Sequence, residues 1–126
     1  MKNDYLLDTN ILIDASRKFP KAVAFMDELT NYNVSILTLF ELTKHATDKT
    51  KLLKIQNGFK RLNTVFLDKK AQDLALSLYS EYKLSTGIGI IDSLIAGTAI
   101  FNDFTLVTKN TKHFAKIKKL SLFEPY

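Results

Sequence analysis

The sequence has 126 residues, 46% of them apolar and 25% charged, which is the length and balance of a single globular domain with one core and excludes a disordered chain. It contains no cysteine, so disulfides, thiolate metal sites and cysteine nucleophiles are excluded together. Lysine and arginine outnumber aspartate and glutamate by 18 to 13, a net charge of +5 that suits a polyanionic partner such as nucleic acid.

In chain order, Tyr5-Leu6-Leu7 is a short continuous apolar run, as expected of a strand covered on both faces. It empties into Asp8-Thr9-Asn10, and Ile11, Leu12 and Ala15 then predict a short helix ending near Ser16 to Lys18. Asp8 therefore stands at a strand's carboxyl end, where open α/β sheets collect ligands. Asp8 or Asn10 is equally suited to cap the helix that follows. Pro20 opens a second helix carrying Ala22, Val23, Met26 and Leu29 at helical spacing, and Asn31-Tyr32-Asn33 supplies the turn that stops it. Val34 to Leu37 reads as a second strand. Its exit, Thr38-Leu39-Phe40-Glu41, has the spacing of a capping box, with a helix from Leu39 to about Thr47. A basic helix follows over roughly residues 49–62, with Gly58 as a potential break.

Thr64 to Leu67 is the third predicted strand. Ala71, Leu74, Ala75, Leu78 and Tyr82 repeat at helical spacing through Leu84, and Ser85-Thr86-Gly87 closes that helix. Ile90 to Phe101 forms another, with Ala96, Gly97 and Ala99 as expected for close packing on a sheet, and with Asp92 in the first turn, where the helix dipole favours an acid. Leu106-Val107-Thr108 is a fourth strand, a short basic helix follows, and Ser121 to Phe123 adds an edge strand. Strands alternating with helices predict an α/β fold, three layers with a mainly parallel sheet of four to five strands. The stretch from Met1 to Leu7 has no long apolar core, and no apolar run nears the roughly 18 residues of a membrane span. A cytoplasmic location away from the membrane is the expectation.

Asp8, Glu41 and Asp92 share what capping does not require, since all three stand at strand-to-helix or loop-to-helix junctions. If the sheet is parallel, the first two lie at its carboxyl edge, a helix from Ile90 leading into the next strand can present Asp92 there too, and the three carboxylates would converge. At about 5 Å and an effective dielectric near 20, each pair of carboxylates repels by roughly 3 kcal/mol, so a cation is needed among them. Mg²⁺ or Mn²⁺ suits all-oxygen ligands and leaves positions for water and phosphate. Ions so held activate water for attack on a phosphodiester, and a basic surface holds the anionic backbone.

Leu7-Asp8-Thr9-Asn10-Ile11-Leu12-Ile13, Thr38-x-x-Glu41-Leu42, Ile91-Asp92-Ser93-Leu94-Ile95-Ala96 and Leu106-Val107-Thr108-Lys109-Asn110-Thr111-Lys112-His113-Phe114 together resemble the four motifs of the PIN-domain ribonucleases, most closely the VapC-type toxins of toxin–antitoxin pairs. The resemblance covers the whole chain. It implies a PIN-like fold and a metal-dependent endoribonuclease using Asp8, Glu41 and Asp92 as metal-binding acids. It further implies a homodimer inhibited by a small antitoxin that inserts a peptide into the active-site groove. Members usually carry a fourth acid at the position of Asn110 or of His113, and this chain has neither, so Asn110 offers a metal or its water only a neutral oxygen. Thr9, Asn10, Thr38 and Thr108 match polar motif positions and are expected to hold the acids or metal-bound waters.

Other signals are read as structural. Gly87-Ile88-Gly89 lacks the third glycine and the preceding strand of a dinucleotide site, His45 and His113 are read as surface residues, and Asp14 as a surface or helix-end acid. Lys44, Lys49, Lys51, Lys54, Lys60 and Arg61 form a solvated helical face, whereas the cluster Lys109, Lys112, Lys116, Lys118 and Lys119 begins beside the last motif, where it can meet an RNA backbone. Two alternatives to the toxin stand beside it: a degenerate member that binds RNA or a partner without cutting, and a housekeeping nuclease acting on ribosomal RNA precursors.

Overall fold

The computed structural model describes residues 4–126; residues 1–3, part of the stretch expected to lack a secretory signal, lie outside it. Strands β1 (Tyr5–Leu7), β2 (Asn33–Ser35), β3 (Asn63–Val65), β4 (Thr105–Val107) and β5 (Ser121–Phe123) form one sheet in the order β3-β2-β1-β4-β5. Every pairing is parallel. Helices α1 (Thr9–Ser16) and α2 (Pro20–Glu28) connect β1 to β2, and α3 (Ile36–His45) with α4 (Lys49–Phe59) connects β2 to β3. Helices α5 (Lys69–Thr86) and α6 (Ile90–Phe101) connect β3 to β4, and α7 (Thr111–Phe114) leads to β5. Among the described residues no helix is long and apolar enough to cross a membrane.

Alternation along the strands divides the core in two. Leu6 and Leu106 face one side, with Leu78, Ile95, Ala96, Ala99 and Phe114 of α5, α6 and α7. Leu7 and Val107 face the other, with Ile11, Val34 and Leu39 and the partly buried Phe25 and Met26. Both faces of the two central strands are thus sealed, which accounts for the continuous apolar run in β1 and gives the expected three layers.

Local boundaries differ from expectation where side-chain hydrogen bonds override the apolar pattern. Asn33 is buried within β2 rather than in the turn, because its amide donates to the Tyr5 carbonyl oxygen at 3.0 Å and accepts from Asn63. Ser35, not Thr38, caps α3: its hydroxyl accepts from the Leu37 amide at 3.1 Å. The capping box is therefore absent, and Thr38 and Glu41 lie inside the helix, three residues apart on one face. Gly58 does not break α4, which ends one residue later. Gly87 closes α5 in the left-handed conformation, φ 72°.

The small residues of α6 serve a helix contact as well as the sheet. A β-carbon on Gly97 would lie 2.7 Å from the Ala71 carbonyl oxygen and 2.9 Å from the Ala75 β-carbon, so the α5–α6 approach depends on a missing side chain. Gly97→Ala is expected to lower stability by about 1–3 kcal/mol through overpacking, despite alanine's better helix propensity. Gly58→Ala, with open space around it, is expected to raise stability by about 0.5–1 kcal/mol. Denaturant melts of the two variants should move in opposite directions.

Candidate active site

The strand order reverses between β1 and β4, and the crevice at their carboxyl ends is where a parallel sheet presents its chemistry. Tyr5, Leu6 and Leu7 pair in register with Thr105, Leu106 and Val107. The next residue on each strand is therefore a neighbour: Asp8 meets Thr108. The Asp8 amide donates to the Val107 carbonyl oxygen at 2.9 Å, and the Thr108 hydroxyl donates to Asp8 Oδ2 at 2.8 Å. Asp8 is buried and also caps α1, its Oδ1 accepting from the Thr9 amide at 2.8 Å.

Asn10 ties this pair to the loop after β4. Its Nδ2 lies 3.2 Å from the Thr108 hydroxyl and 3.4 Å from Asp8 Oδ2, while its Oδ1 accepts from the Lys109 amide at 3.2 Å. On the other side Thr9 reaches α3. Its hydroxyl donates to Glu41 Oε1 at 2.6 Å and its oxygen lies 3.3 Å from the buried Thr38 hydroxyl. Because Thr38 and Glu41 stand one turn apart on the same helical face, one threonine on α1 holds both.

Asp92 sits in the first turn of α6, where its Oδ2 lies 3.2 Å from His113 Nδ1. That nitrogen is also 3.1 Å from Asn110 Nδ2, and the Asn110 amide donates to the Thr108 hydroxyl oxygen at 3.0 Å. His113 is thus a half-buried partner of the acids rather than the surface residue expected. The signal for it was its three-residue spacing from Asn110, which a short helix turns to one side. Asp14 also has a specific partner: it accepts from the Tyr126 hydroxyl at 2.8 Å. Tyr126 had no motif to mark it.

Burial pushes the Asp8 carboxyl up to about pKa 6; the Thr108 and Thr9 hydrogen bonds pull it down, and the charges of Asp92 and Glu41 push it up again. Asp8 therefore lies within electrostatic reach of both other acids. Among the described residues no three His, Asp or Glu side chains are already gathered around one point where an ion would sit, because Glu41 is turned to Thr9 and Asp92 to His113. The donor set itself fits a hard divalent ion: it is all carboxylate oxygen, it contains no thiolate, and its mutual repulsion is what a cation relieves.

The PIN domain family profile matches residues 5–120. Over 120 residues the chain is 32% identical to Ribonuclease VapC1 of Methanocaldococcus jannaschii, spanning 93% of this chain and 83% of that one. Over 114 residues it is 32% identical to Ribonuclease VapC19 of Mycobacterium tuberculosis, spanning 86% and 90%. Its fold superposes on a toxin–antitoxin complex from Klebsiella pneumoniae with a TM-score of 0.83, at 26% identity over 97% of this chain and 98% of that one. For VapBC2 from Rickettsia felis, bound to a DNA fragment from its promoter, the TM-score is 0.81 at 30% identity, over 95% and 97%. With the family profile covering nearly the whole chain and ribonuclease relatives matching along most of their length, this chain belongs to the PIN-domain family, among the VapC ribonucleases.

Proposed function

We propose that this chain is a metal-dependent endoribonuclease that hydrolyses RNA phosphodiester bonds, the toxin of a toxin–antitoxin pair that is restrained by a small antitoxin protein and acts as a homodimer. The observation that carries it is Asp8 held at the sheet's carboxyl edge by Thr108, within electrostatic reach of Glu41 and Asp92, in a chain whose relatives are named ribonucleases. Mg²⁺ or Mn²⁺ held by Asp8, Glu41 and Asp92, with Asn110 as a neutral fourth donor, would supply an activated water and neutralise charge on the phosphate. Thr108 and Asn10 fix the Asp8 carboxylate, and Thr9 with Thr38 fixes Glu41. His113, itself met by Asn110, positions Asp92, which would turn from it to help hold an ion. The excess of lysine over acid supports an RNA substrate, and exposed Leu76, Leu84 and Ile90 on α5 and α6 support a subunit contact.

The acids' present turn away from a common point, together with Asn110 in place of an acid, favours one other reading, an RNA-binding member that does not cut. Cleavage of a structured RNA in Mn²⁺, abolished by chelator, decides between them; binding without metal-dependent cleavage would leave only the second. Glu41→Gln keeps the acceptor for Thr9 and should hold the melting temperature within a few degrees while most cleavage is lost. Unchanged cleavage would remove Glu41 from the site.

Asp8 generates a pH prediction. Its folded pKa of about 6 lies above the unfolded 3.8, so the native state binds this proton more tightly than the unfolded chain. The resulting stabilisation is complete below about pH 4 and is lost as pH rises through 6, by at most about 3 kcal/mol. In metal-free buffer, Asp8→Asn should lack that decline and be the more stable protein relative to the parent at pH 8 than at pH 4. Mn²⁺ should raise the parent's melting temperature at pH 8 and leave the variant's nearly unchanged. For the dimer, Leu76→Asp is expected to shift the solution mass by light scattering towards that of one chain.

A further inference from the structure

A cavity of about 330 Å³ lined by Asp14, Phe19, Lys21, Lys109 and Tyr126 lies outside the set of acids, and its position is fixed by α1. Asn10, which bonds to Thr108 and the Lys109 amide, and Asp14, which bonds to Tyr126, are four residues apart and so share one face of that helix. The cavity therefore adjoins the site through Lys109, which lines it and follows Thr108 in the chain, while Asp14 stands six residues, about 9 Å of helix axis, beyond Asp8.

Its lining divides by chemistry. The Lys109 ammonium is 4.7 Å from the centre of the Tyr126 ring and 3.1 Å from Glu124 Oε2, so that lysine is engaged and covers one face of the tyrosine. The Tyr126 phenol, raised above its ordinary pKa by burial and by Asp14, stays protonated as a donor to that acid. Phe19 packs against Tyr126 at 5.7 Å between ring centres yet remains 44% exposed, which leaves much of the residue open to a ligand. Lys21 has no acid within ion-pair distance among the described residues. Phe19 and Lys21 flank the start of α2, so the cavity lies at that helix's N-terminal end.

We propose that this cavity is a nucleotide subsite for single-stranded RNA flanking the bond to be cut, with a base stacked on Phe19 and its phosphate held by Lys21. The subsite rests on the nuclease reading above. A half-exposed aromatic ring beside an unpaired ammonium, joined through Lys109 to the side of the site that holds Asp8, matches a nucleotide, since every base offers a ring to stack and every linkage a phosphate. The volume is at the lower end of small-ligand pockets, the scale of one nucleotide rather than a folded partner.

The test measures binding of a short fluorescein-labelled single-stranded RNA to the full chain by anisotropy, in chelator so that nothing is cut, with cleavage in Mn²⁺ followed separately. Phe19→Ala is expected to weaken binding about tenfold, with Phe19→Trp restoring it. Lys21→Ala should weaken it about fivefold and flatten its salt dependence. Lys54→Ala, an equal loss of charge on the solvated face of α4, should change neither. Phe19→Ala is also expected to alter which bonds of a longer RNA are cut. If Phe19→Ala and Lys21→Ala both bind RNA as the parent does, including the case in which either instead weakens capture of an antitoxin, the subsite is overturned while a cleaving parent keeps the nuclease reading intact. A parent that binds with the expected variant losses but never cleaves would instead overturn the nuclease reading.

Discussion

The in-register pairing of β1 with β4 is the constraint on which the rest of the structure depends. Because Leu7 lies opposite Val107, the first residues beyond the two strands are neighbours, and a carboxylate on one meets a hydroxyl on the other. Burying an unpartnered carboxylate would be costly. Asp8 offsets part of that cost through Thr108, Asn10 and the Thr9 amide, while burial still holds its carboxyl above the usual carboxylate range. A one-residue slip of either strand would turn its core face to the wrong side and part the acid from its hydroxyl.

That edge is presented in a fixed place because both faces of the sheet are sealed. One core cluster is closed by α5, α6 and α7, and the other by α1, α2 and α3. The tightest contact lies between two helices, where Gly97 admits the backbone of α5. It sits in α6, whose first turn carries Asp92, so packing deep in the core sets where one of the three acids emerges.

The last motif links the acids through uncharged and polar groups. Asn110 carries no charge, but its amide group and side chain join Thr108 to His113, and His113 in turn meets Asp92. The polar residues between the acids thus form a continuous chain of contacts from α6 through α7 to β4 and α1. Polar links of this kind fix the positions of carboxylates whose charges repel one another.

The sequence by itself determined the α/β class, a mainly parallel sheet of four to five strands, and the helix boundaries at Pro20, Gly87 and Ile90, because apolar periodicity and local punctuation are properties of neighbouring residues. It also singled out Asp8, Glu41 and Asp92, since an acid at the end of an apolar run stands out without any fold. What it misjudged were features set by residues distant in the chain. Thr38-x-x-Glu41 has the spacing of a capping box, but Ser35 caps the helix first and the same spacing serves to aim both side chains at Thr9. Asn33 looked like a turn residue until the Tyr5 carbonyl gave its amide a partner within the sheet. His113 and Tyr126 acquired roles only when α7 and the residues after β5 came to lie against α6 and α1. The tertiary structure alone decided these, because hydrogen bonding between side chains depends on their separation in space, which neither spacing nor propensity encodes.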